Sequence, residues 1–255
     1  MTAGATAALT VFFFATSLVT VITGSTSLVT IPVMLMFGME ARVAVATNMF
    51  ALALLSAGGA LPFVRTPAMD RPRLPLLVTF TLGGSALGAW LLFRVPPKWM
   101  TLIIPAAMLT VLVLLLFEPK PDTQSDSPLT RTRERTGYAL AALLSVYGGF
   151  LSGGYATLIT ATGILFFRYP FTRAMATAKV LNIASSMIAV AIFAWFRIVE
   201  WPLGCVLGAA SFAGGLTGAR WAQRMPALLL RRVFLITVAA LALKALIFDV
   251  PWTEL

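Results

Sequence analysis

The segment Gly24-Ser25-Thr26-Ser27-Leu28 is matched 130 positions later by Gly154-Tyr155-Ala156-Thr157-Leu158, and the match continues without a gap over Gly24–Pro96 and Gly154–Pro226. The identical pairs include residues that shape the backbone, namely Pro72/Pro202, Gly84/Gly214, Gly88/Gly218 and Pro96/Pro226. A chance alignment of two apolar sequences would not readily bring these residues together. The chain is therefore predicted to contain two repeats, an arrangement typical of transporters that hold their substrate where the repeats meet.

The composition is that of a membrane protein. Of the 255 residues, 59% are hydrophobic and 11% are charged, whereas soluble domains contain about 25% charged residues. The net charge of +10 lies mostly in short loops between apolar segments, which is typical of cytoplasmic membrane flanks rather than of a nucleic-acid-binding surface. The absence of histidine and the single cysteine, Cys205, exclude most metal and redox sites, so no cofactor is expected.

Apolar segments that are predicted to form helices follow one another along the chain: Thr2–Ile22, Ser25–Phe37, Val43–Val64, Leu74–Phe93, Trp99–Phe117, Gly137–Leu151, Tyr155–Phe167, Ala174–Phe196, Leu203–Ala222 and Leu228–Phe248. A span needs about 20 residues, so Ser25–Phe37 and Tyr155–Phe167 are too short. Each of these two follows its predecessor across a glycine-containing break. Each pair forms either two short, steep spans or a hairpin that enters and leaves on one side, and the sequence leaves both alternatives open.

The loop charges predict an orientation. If the loop 38–42 is outside, 13 of the 19 basic residues lie inside: Arg65, Arg71, Arg73, Lys120, Arg131, Arg133, Arg135, Arg168, Arg173, Arg220, Arg224, Arg231 and Arg232. Four lie outside, namely Arg42, Arg94, Lys98 and Arg197, which is a strong positive-inside bias. The matched loops 65–73 and 197–201 then face opposite sides, so the repeats are predicted to be inverted. The expected organisation is a first repeat over 1–118, a cytoplasmic linker over 119–136 and a second repeat over 137–255.

Polar residues within spans are costly in a bilayer and therefore indicate function. Lys179 is the charge nearest the middle of a predicted span, and Asn182 follows on the same helix face. Thr47 and Asn48 occupy the matched level in the first repeat. The alternative for Lys179, which lies about 9 Å along the helix from Arg173, is that its side chain reaches back to the inner interface.

The two breaks are the second candidate binding feature. The residues Gly24, Ser25, Thr26 and Ser27, and the residues Gly153, Gly154, Tyr155, Ala156 and Thr157, each begin a short helix. Helix N-termini have free N–H groups and a partial positive charge, and therefore bind anions. The alternative is that small residues at the breaks only allow close packing. Packing is the expected role of the two motifs Gly84-x-x-x-Gly88 and Gly214-x-x-x-Gly218.

The same residues carry a family resemblance. Gly24-Ser25-Thr26-Ser27-Leu28 with Pro32, followed by Ala44-Val45-Ala46-Thr47-Asn48, resembles the first repeat of the sulfite exporter TauE/SafE family. Ala176-Thr177-Ala178-Lys179-Val180-Leu181-Asn182, followed by Ile198-Val199-Glu200-Trp201, is similar to the second repeat. The resemblance covers nearly the whole chain except the linker. It implies a bacterial inner-membrane permease that moves sulfite, organosulfonates or related anions, commonly outward.

The sequence thus predicts an all-α, multi-pass membrane protein of two inverted repeats with paired short or broken helices. A small oxyanion is expected to bind between the two breaks, Lys179 and Asn182, and no enzymatic activity is expected. The expected partners are this anion and the lipid bilayer, without nucleic acid, and a homo-oligomer is left open. An anion channel of the same architecture is an alternative, whereas a membrane factor for thiol chemistry is disfavoured by the single cysteine.

Overall fold

The computed structural model describes residues 3–24, 26–63, 70–96 and 130–224, and over these ranges its regular secondary structure is helical. The α-helices are α1 Ala3–Thr23, α2 Ser27–Met36, α3 Ala41–Ala60, α4 Leu74–Leu91, α5 Arg131–Phe150, α6 Tyr155–Phe167, α7 Phe171–Trp195 and α8 Trp201–Arg224, and a 3₁₀ turn, Leu61–Phe63, extends α3. Five of the described helices are long and apolar enough to cross a membrane. The predicted all-α, multi-pass class is confirmed. The predicted segments Trp99–Phe117 and Leu228–Phe248, and most of the linker, lie outside the described residues.

The helix α5 begins at Arg131, six residues before the apolar segment that was predicted to begin at Gly137. The charged run 131–135 is therefore helical and does not belong to an irregular linker. A tertiary contact explains this difference, because Arg133 donates from Nε to the carbonyl oxygen of Leu165 at 2.9 Å. Leu165 lies in the last turn of α6, where helix carbonyls lack intrahelical partners.

The short helices form hairpins with the helices that precede them, which decides between the alternatives that the sequence left open. In the first repeat, Leu9 of α1 packs in the same cluster as Met34 near the end of α2. In the second, Arg133 at the start of α5 contacts Leu165 near the end of α6. In both pairs the beginning of one helix meets the end of the next. Each pair therefore enters and leaves at the same end of the molecule.

The two hairpins enter from opposite ends. The ends of the first hairpin, at Thr6 and Met39, line a pocket of about 520 Å³ together with Glu200, and we call this the Glu200 end. Tyr169, two residues after α6, contacts Asp70, and Glu134 at the start of α5 contacts Arg73, so we call this the Asp70 end. The loops predicted as cytoplasmic lie at the Asp70 end as far as the structure describes them. That the two ends face opposite sides of a membrane stays a prediction.

The tips of the hairpins meet inside the protein. Gly24 has φ +75° and Gly154 has φ +77°, left-handed conformations that L side chains rarely adopt. A side-chain carbon at Gly24 would lie 2.8 Å from Ala156 Cβ and 2.9 Å from the backbone nitrogen of Thr157. The glycine therefore allows one break to pack directly on the first turn of α6.

The glycine motifs pack each repeat against the other. Gly84 and Gly88 of α4 face the backbone of α5 at Ala142 and Val146, where a side-chain carbon at Gly84 would lie 2.8 Å from Ala142 O. The second repeat reproduces this contact: a carbon at Gly214 of α8 would lie 2.5 Å from the carbonyl oxygen of Phe14 in α1, and Gly218 faces Leu18. The predicted packing role of both motifs is confirmed.

The helices α3 and α7 cross at the centre in antiparallel orientation. Asn182 hydrogen-bonds to Ser56, and the stem of Lys179 lies beside Gly59. Exchanging each residue for the one 130 positions away maps the first contact onto Leu52 and Ser186. That this crossing lies on a pseudo-two-fold axis of inverted repeats stays a prediction.

Candidate functional site

Asn48 fixes the first break to α3. Its amide nitrogen donates to Ser27 Oγ at 3.0 Å, and its amide oxygen accepts from Thr30 Oγ1 at 2.7 Å. All three residues are buried. The structure thus brings together two of the predicted site residues, Ser27 and Asn48, and holds the first turn of α2 against a long helix.

Thr26 is also buried at the first break, but its hydroxyl lies 2.6 Å from that of Thr20 on α1. This contact closes the turn between the two helices of the hairpin. The neighbouring predicted residue, Ser25, lies outside the described part of the chain. The break therefore contains one hydroxyl engaged with α1 and one engaged with α3.

At the second break, the predicted residues face different directions. Ala156 and Thr157 lie under Gly24, and Gly153 faces the side chain of Leu28. Tyr155 instead directs its hydroxyl between α4 and α5, 3.3 Å from Thr81 and 3.1 Å from Ser145. Its backbone N–H donates to the Ser152 carbonyl at 3.1 Å. Tyr155 is therefore an anchor for the break, and its N–H is engaged within the turn.

Thr47 lies on a different side of α3 from Asn48 and binds the start of α8. Its hydroxyl oxygen accepts from the backbone N–H of Glu200 at 3.1 Å. This contact lies toward the Glu200 end and away from the hairpin tips. Of the predicted polar pair on α3, Asn48 contacts a break and Thr47 holds a helix N-terminus.

Lys179 is enclosed by the protein, with 2% of its surface exposed. A side-chain carbon at Gly59 would lie 3.6 Å from Lys179 Cδ and 3.7 Å from Cε, so the glycine leaves room for the lysine stem. Both ion pairs in the described part of the structure involve Arg73. Within that part, the ammonium group has no carboxylate partner.

Asn182 and the serines around it form the polar centre of the α3–α7 crossing. The amide nitrogen of Asn182 donates to Ser56 Oγ at 2.6 Å. Its amide oxygen and the hydroxyl of Ser186 are buried and find no hydrogen-bond partner among the described residues. Ser56 and Ser186 were not predicted as site residues. The available signal was that they are matched across the repeats as polar residues within apolar spans.

The polar centre is one-sided. The residues matched to Lys179 and Asn182 are Met49 and Leu52, both buried. The amide of Asn182 therefore binds Ser56, whereas Leu52, the residue matched to Asn182, has no amide to offer the matched serine, Ser186. Lys179, Asn182 and Ser186 are spaced i, i+3 and i+7, so they share one face of α7. The result is a polar stripe on α7 that faces the centre of the protein.

Comparison with known proteins agrees with this architecture. A model of the family described as sulfite exporter TauE/SafE matches residues 8–245. The chain belongs to this family. The protein is therefore a multi-pass membrane transport protein, as the sequence predicts.

Relatives in other bacteria match most of the chain. A "probable membrane transporter protein" of Haemophilus influenzae is 27% identical over 248 residues, which are 94% of this chain and 93% of the relative. The "probable membrane transporter protein ORF9" of Sinorhizobium sp. is 26% identical, covering 88% of this chain and 86% of the relative. The "probable membrane transporter protein YfcA" of Escherichia coli K12 is 25% identical, covering 88% and 83%. No solved structure matches the chain significantly.

Proposed function

We propose that this protein is a secondary transporter that exports small sulfur-containing oxyanions, such as sulfite or organosulfonates, across the bacterial inner membrane. The substrate class follows from the family description, since the relatives are named only as probable membrane transporters. The proposed site lies between the hairpin tips and the polar stripe of Lys179, Asn182 and Ser186. The observation that carries the proposal is the buried lysine that lacks a described carboxylate partner.

A buried ammonium group requires a compensating charge or polar groups. A lysine at the centre of a span costs about 2.5–3.5 kcal/mol on insertion scales. The burial of Lys179 against Gly59 argues against the alternative that its side chain extends to the inner interface. An anionic substrate that contacts the lysine would offset the cost while bound. The lysine then serves as the main electrostatic determinant of anion binding.

The neighbouring polar groups can adapt to an oxyanion. The hydroxyl of Ser56 can either accept from or donate to the amide of Asn182. If Ser56 donates to the amide oxygen, the amide can rotate and present its N–H₂ group to the anion. Ser186 adds a hydroxyl donor one turn along the same face. Several donors and one cation without a nearby acid make a site suited to sulfite or a sulfonate group.

The proposed direction, export, follows from the family description. The loop charges predict that the Glu200 end faces outward. An exported anion would therefore leave through the 520 Å³ pocket that Glu40 and Glu200 line at this end.

The test measures binding and transport with the same proteins. Purified protein is screened for thermal stabilisation by sulfite, sulfate, thiosulfate, taurine and sulfoacetate, and the best ligand is followed in reconstituted vesicles. Lys179→Met keeps the apolar stem and should weaken binding about ten-fold or more, for which about 1.4 kcal/mol suffices. Lys244, four residues before the end of the predicted segment Leu228–Phe248, is expected to extend its side chain to the interface, so Lys244→Met is the control and should leave binding nearly unchanged. Equal binding and transport by Lys179→Met and the wild type would show that the lysine is not part of the binding site.

The flux measurement also separates a transporter from a channel of the same architecture. A transporter should give a saturable flux without single-channel currents, because each turnover requires a conformational cycle. Resolved unitary currents carried by the anion would instead assign the protein to the channel class.

A further inference from the structure

A cluster of four side chains joins the two repeats at the Asp70 end. Arg73 donates from Nε to Glu134 Oε1 at 2.7 Å and from Nη1 to Asp70 Oδ2 at 3.0 Å. The hydroxyl of Tyr169 donates to the same oxygen of Asp70. Asp70 and Arg73 precede α4, Glu134 lies in α5, and Tyr169 lies between α6 and α7. Each repeat therefore contributes two of the four members.

The protonation states suit this network. Burial raises the pKa of Asp70, but the hydrogen bonds from Tyr169 and Arg73 and the charge of Arg73 outweigh it, so the pKa lies below its ordinary value. Burial and the hydrogen bond to Asp70 raise the pKa of Tyr169. Asp70 is therefore an ionised acceptor and Tyr169 a protonated donor. The side chains of Arg73 and Glu134 are 29% and 31% exposed, so water can replace their ion pair when the ends separate.

The matched positions at the Glu200 end cannot form this network. The residues 130 positions from Asp70, Arg73 and Tyr169 are Glu200, Leu203 and Met39. In the first helices of the repeats, α1 and α5, matched residues are 128 positions apart. Phe14 and Leu18 of α1 contact the glycines of α8 as Ala142 and Val146 of α5 contact the glycines of α4. On that relation Glu134 is matched by Thr6. The acid is retained, but the arginine, the tyrosine and the second acid are replaced.

All four matched residues line one feature, the 520 Å³ pocket at the Glu200 end. This volume lies within the range of small-molecule sites, about 300–1,000 Å³. At the Asp70 end, the corresponding four residues are instead joined to one another by hydrogen bonds and ion pairs. Directly beneath the cluster, Tyr169 and Thr177 line a cavity of only about 10 Å³. Among the described residues, the same structural position is thus a pocket at one end of the molecule and a bonded cluster at the other.

We propose that Asp70, Arg73, Glu134 and Tyr169 form a latch that closes one entrance of the transport path, while the pocket around Glu200 is the open vestibule of the other entrance. Transporters of inverted repeats work by exposing a central site to each side in turn. The latch must open for access from the Asp70 end, which requires Arg73 to leave Glu134 and Asp70 to leave Tyr169. The inference rests on the proposed transport function but not on the identity of the anion.

The experiment measures access without any substrate, so its outcome is independent of the anion assignment. In a Cys205→Ser background, Thr177→Cys reports on the cavity beneath the latch. Inside-out vesicles are treated with a membrane-impermeant maleimide. Arg73→Met and Tyr169→Phe should each raise the labelling rate of the reporter at least about three-fold. Arg94→Met, which removes a cation held 4.4 Å over the Trp90 ring at the other end, is the matched control and should leave the rate unchanged.

A second reporter separates opening of the latch from general loosening. Ser145→Cys is buried between α4 and α5, where the serine is bonded to Ala141 O. The proposal requires that its labelling stay at the background rate in both latch variants. A comparable rise at both reporters, or an unchanged rate at Thr177→Cys in both variants, overturns the latch. Tyr169→Phe removes a single oxygen atom, and its melting temperature verifies that the fold persists.

Discussion

The helices α3 and α7 are matched in sequence and cross at the centre, yet only α7 carries the charge and the amide of the polar stripe. Lys179 and Asn182 have Met49 and Leu52 as their matched residues. The glycine contacts, in contrast, are nearly identical in the two repeats. Duplication has therefore preserved the packing that both halves need, whereas the chemistry of the site belongs to one half.

The strongest test of the shared packing is a substitution at the second glycine of each motif. A side-chain carbon at Gly88 or Gly218 would overlap the carbonyl oxygen of Val146 or Leu18. We expect Gly88→Ala and Gly218→Ala each to lower the melting temperature by about 5–10 °C, as overpacking costs about 1–3 kcal/mol or more. Gly83→Ala is the control because nothing lies within 4 Å of the added carbon. A large loss in only one repeat would contradict equal packing in the two halves.

A pair of glycines tests the contact between the hairpin tips. Gly24 and Gly38 both have positive φ, +75° and +81°, but only Gly24 has close neighbours within the described structure. Both alanine variants pay the left-handed cost of about 1–2 kcal/mol. Gly24→Ala should be destabilised by about 1–3 kcal/mol more, measured by denaturant unfolding, and should lose most of its transport activity. Equal effects at both positions would mean that the tips do not need close contact.

The position of the charge is tested by moving it to the matched residue. Met49→Lys in a Lys179→Met background keeps the net charge but places it on α3. We expect anion binding to stay about ten-fold or more below wild type, because Leu52 offers no amide beside the new lysine. Met49 is fully buried, so the double variant should also be less stable than Lys179→Met alone. Recovery of wild-type binding would show that anion binding needs a lysine at the crossing but does not depend on which of the two helices carries it.

The smallest expected difference concerns the matched serines. Ser56→Ala removes the partner of the Asn182 amide and should cost about 1 kcal/mol of unfolding free energy. Ser186→Ala removes a hydroxyl that has no described partner and should change stability by less than about 0.5 kcal/mol. Calorimetry on both variants measures the contrast. If Ser186→Ala lowered the free energy of unfolding more than Ser56→Ala does, the hydrogen bond between Asn182 and Ser56 would not be the larger contribution to stability.

Much of the fold follows from local sequence. The length of apolar segments predicts the helices, and both glycines that mark the breaks, Gly24 and Gly154, have the positive φ that favours glycine. The helix α5 begins six residues before the predicted apolar segment because Arg133 stabilises the charged turn by a hydrogen bond to Leu165, which is 32 residues away. Whether the short helices span or return could not be read from length, since both forms bury the same apolar residues.

The site was less predictable than the fold. The free-energy cost of polar residues within a bilayer indicates Lys179 and Asn182 as site residues, and the structure encloses both at the central crossing. The same criterion grouped Thr47 with Asn48, although adjacent helical residues point about 100° apart and bind different elements. Tyr155 was assigned by its place in the break, but its long side chain reaches α4 and α5. Side-chain direction depends on neighbours that a single repeat does not reveal.

The helix α1 of the first repeat packs on α8 of the second, so this contact can form only after α8 has been synthesised. The partner of Phe14 and Leu18 in α1 is the glycine pair Gly214 and Gly218, which the ribosome adds 200 residues later. At about 5–20 residues per second, the delay is roughly 10–40 s. Throughout this interval, the face of α1 that will pack on α8 is exposed to lipid or to an insertion chaperone. Nascent chains stopped before α8 should therefore be the form most readily degraded.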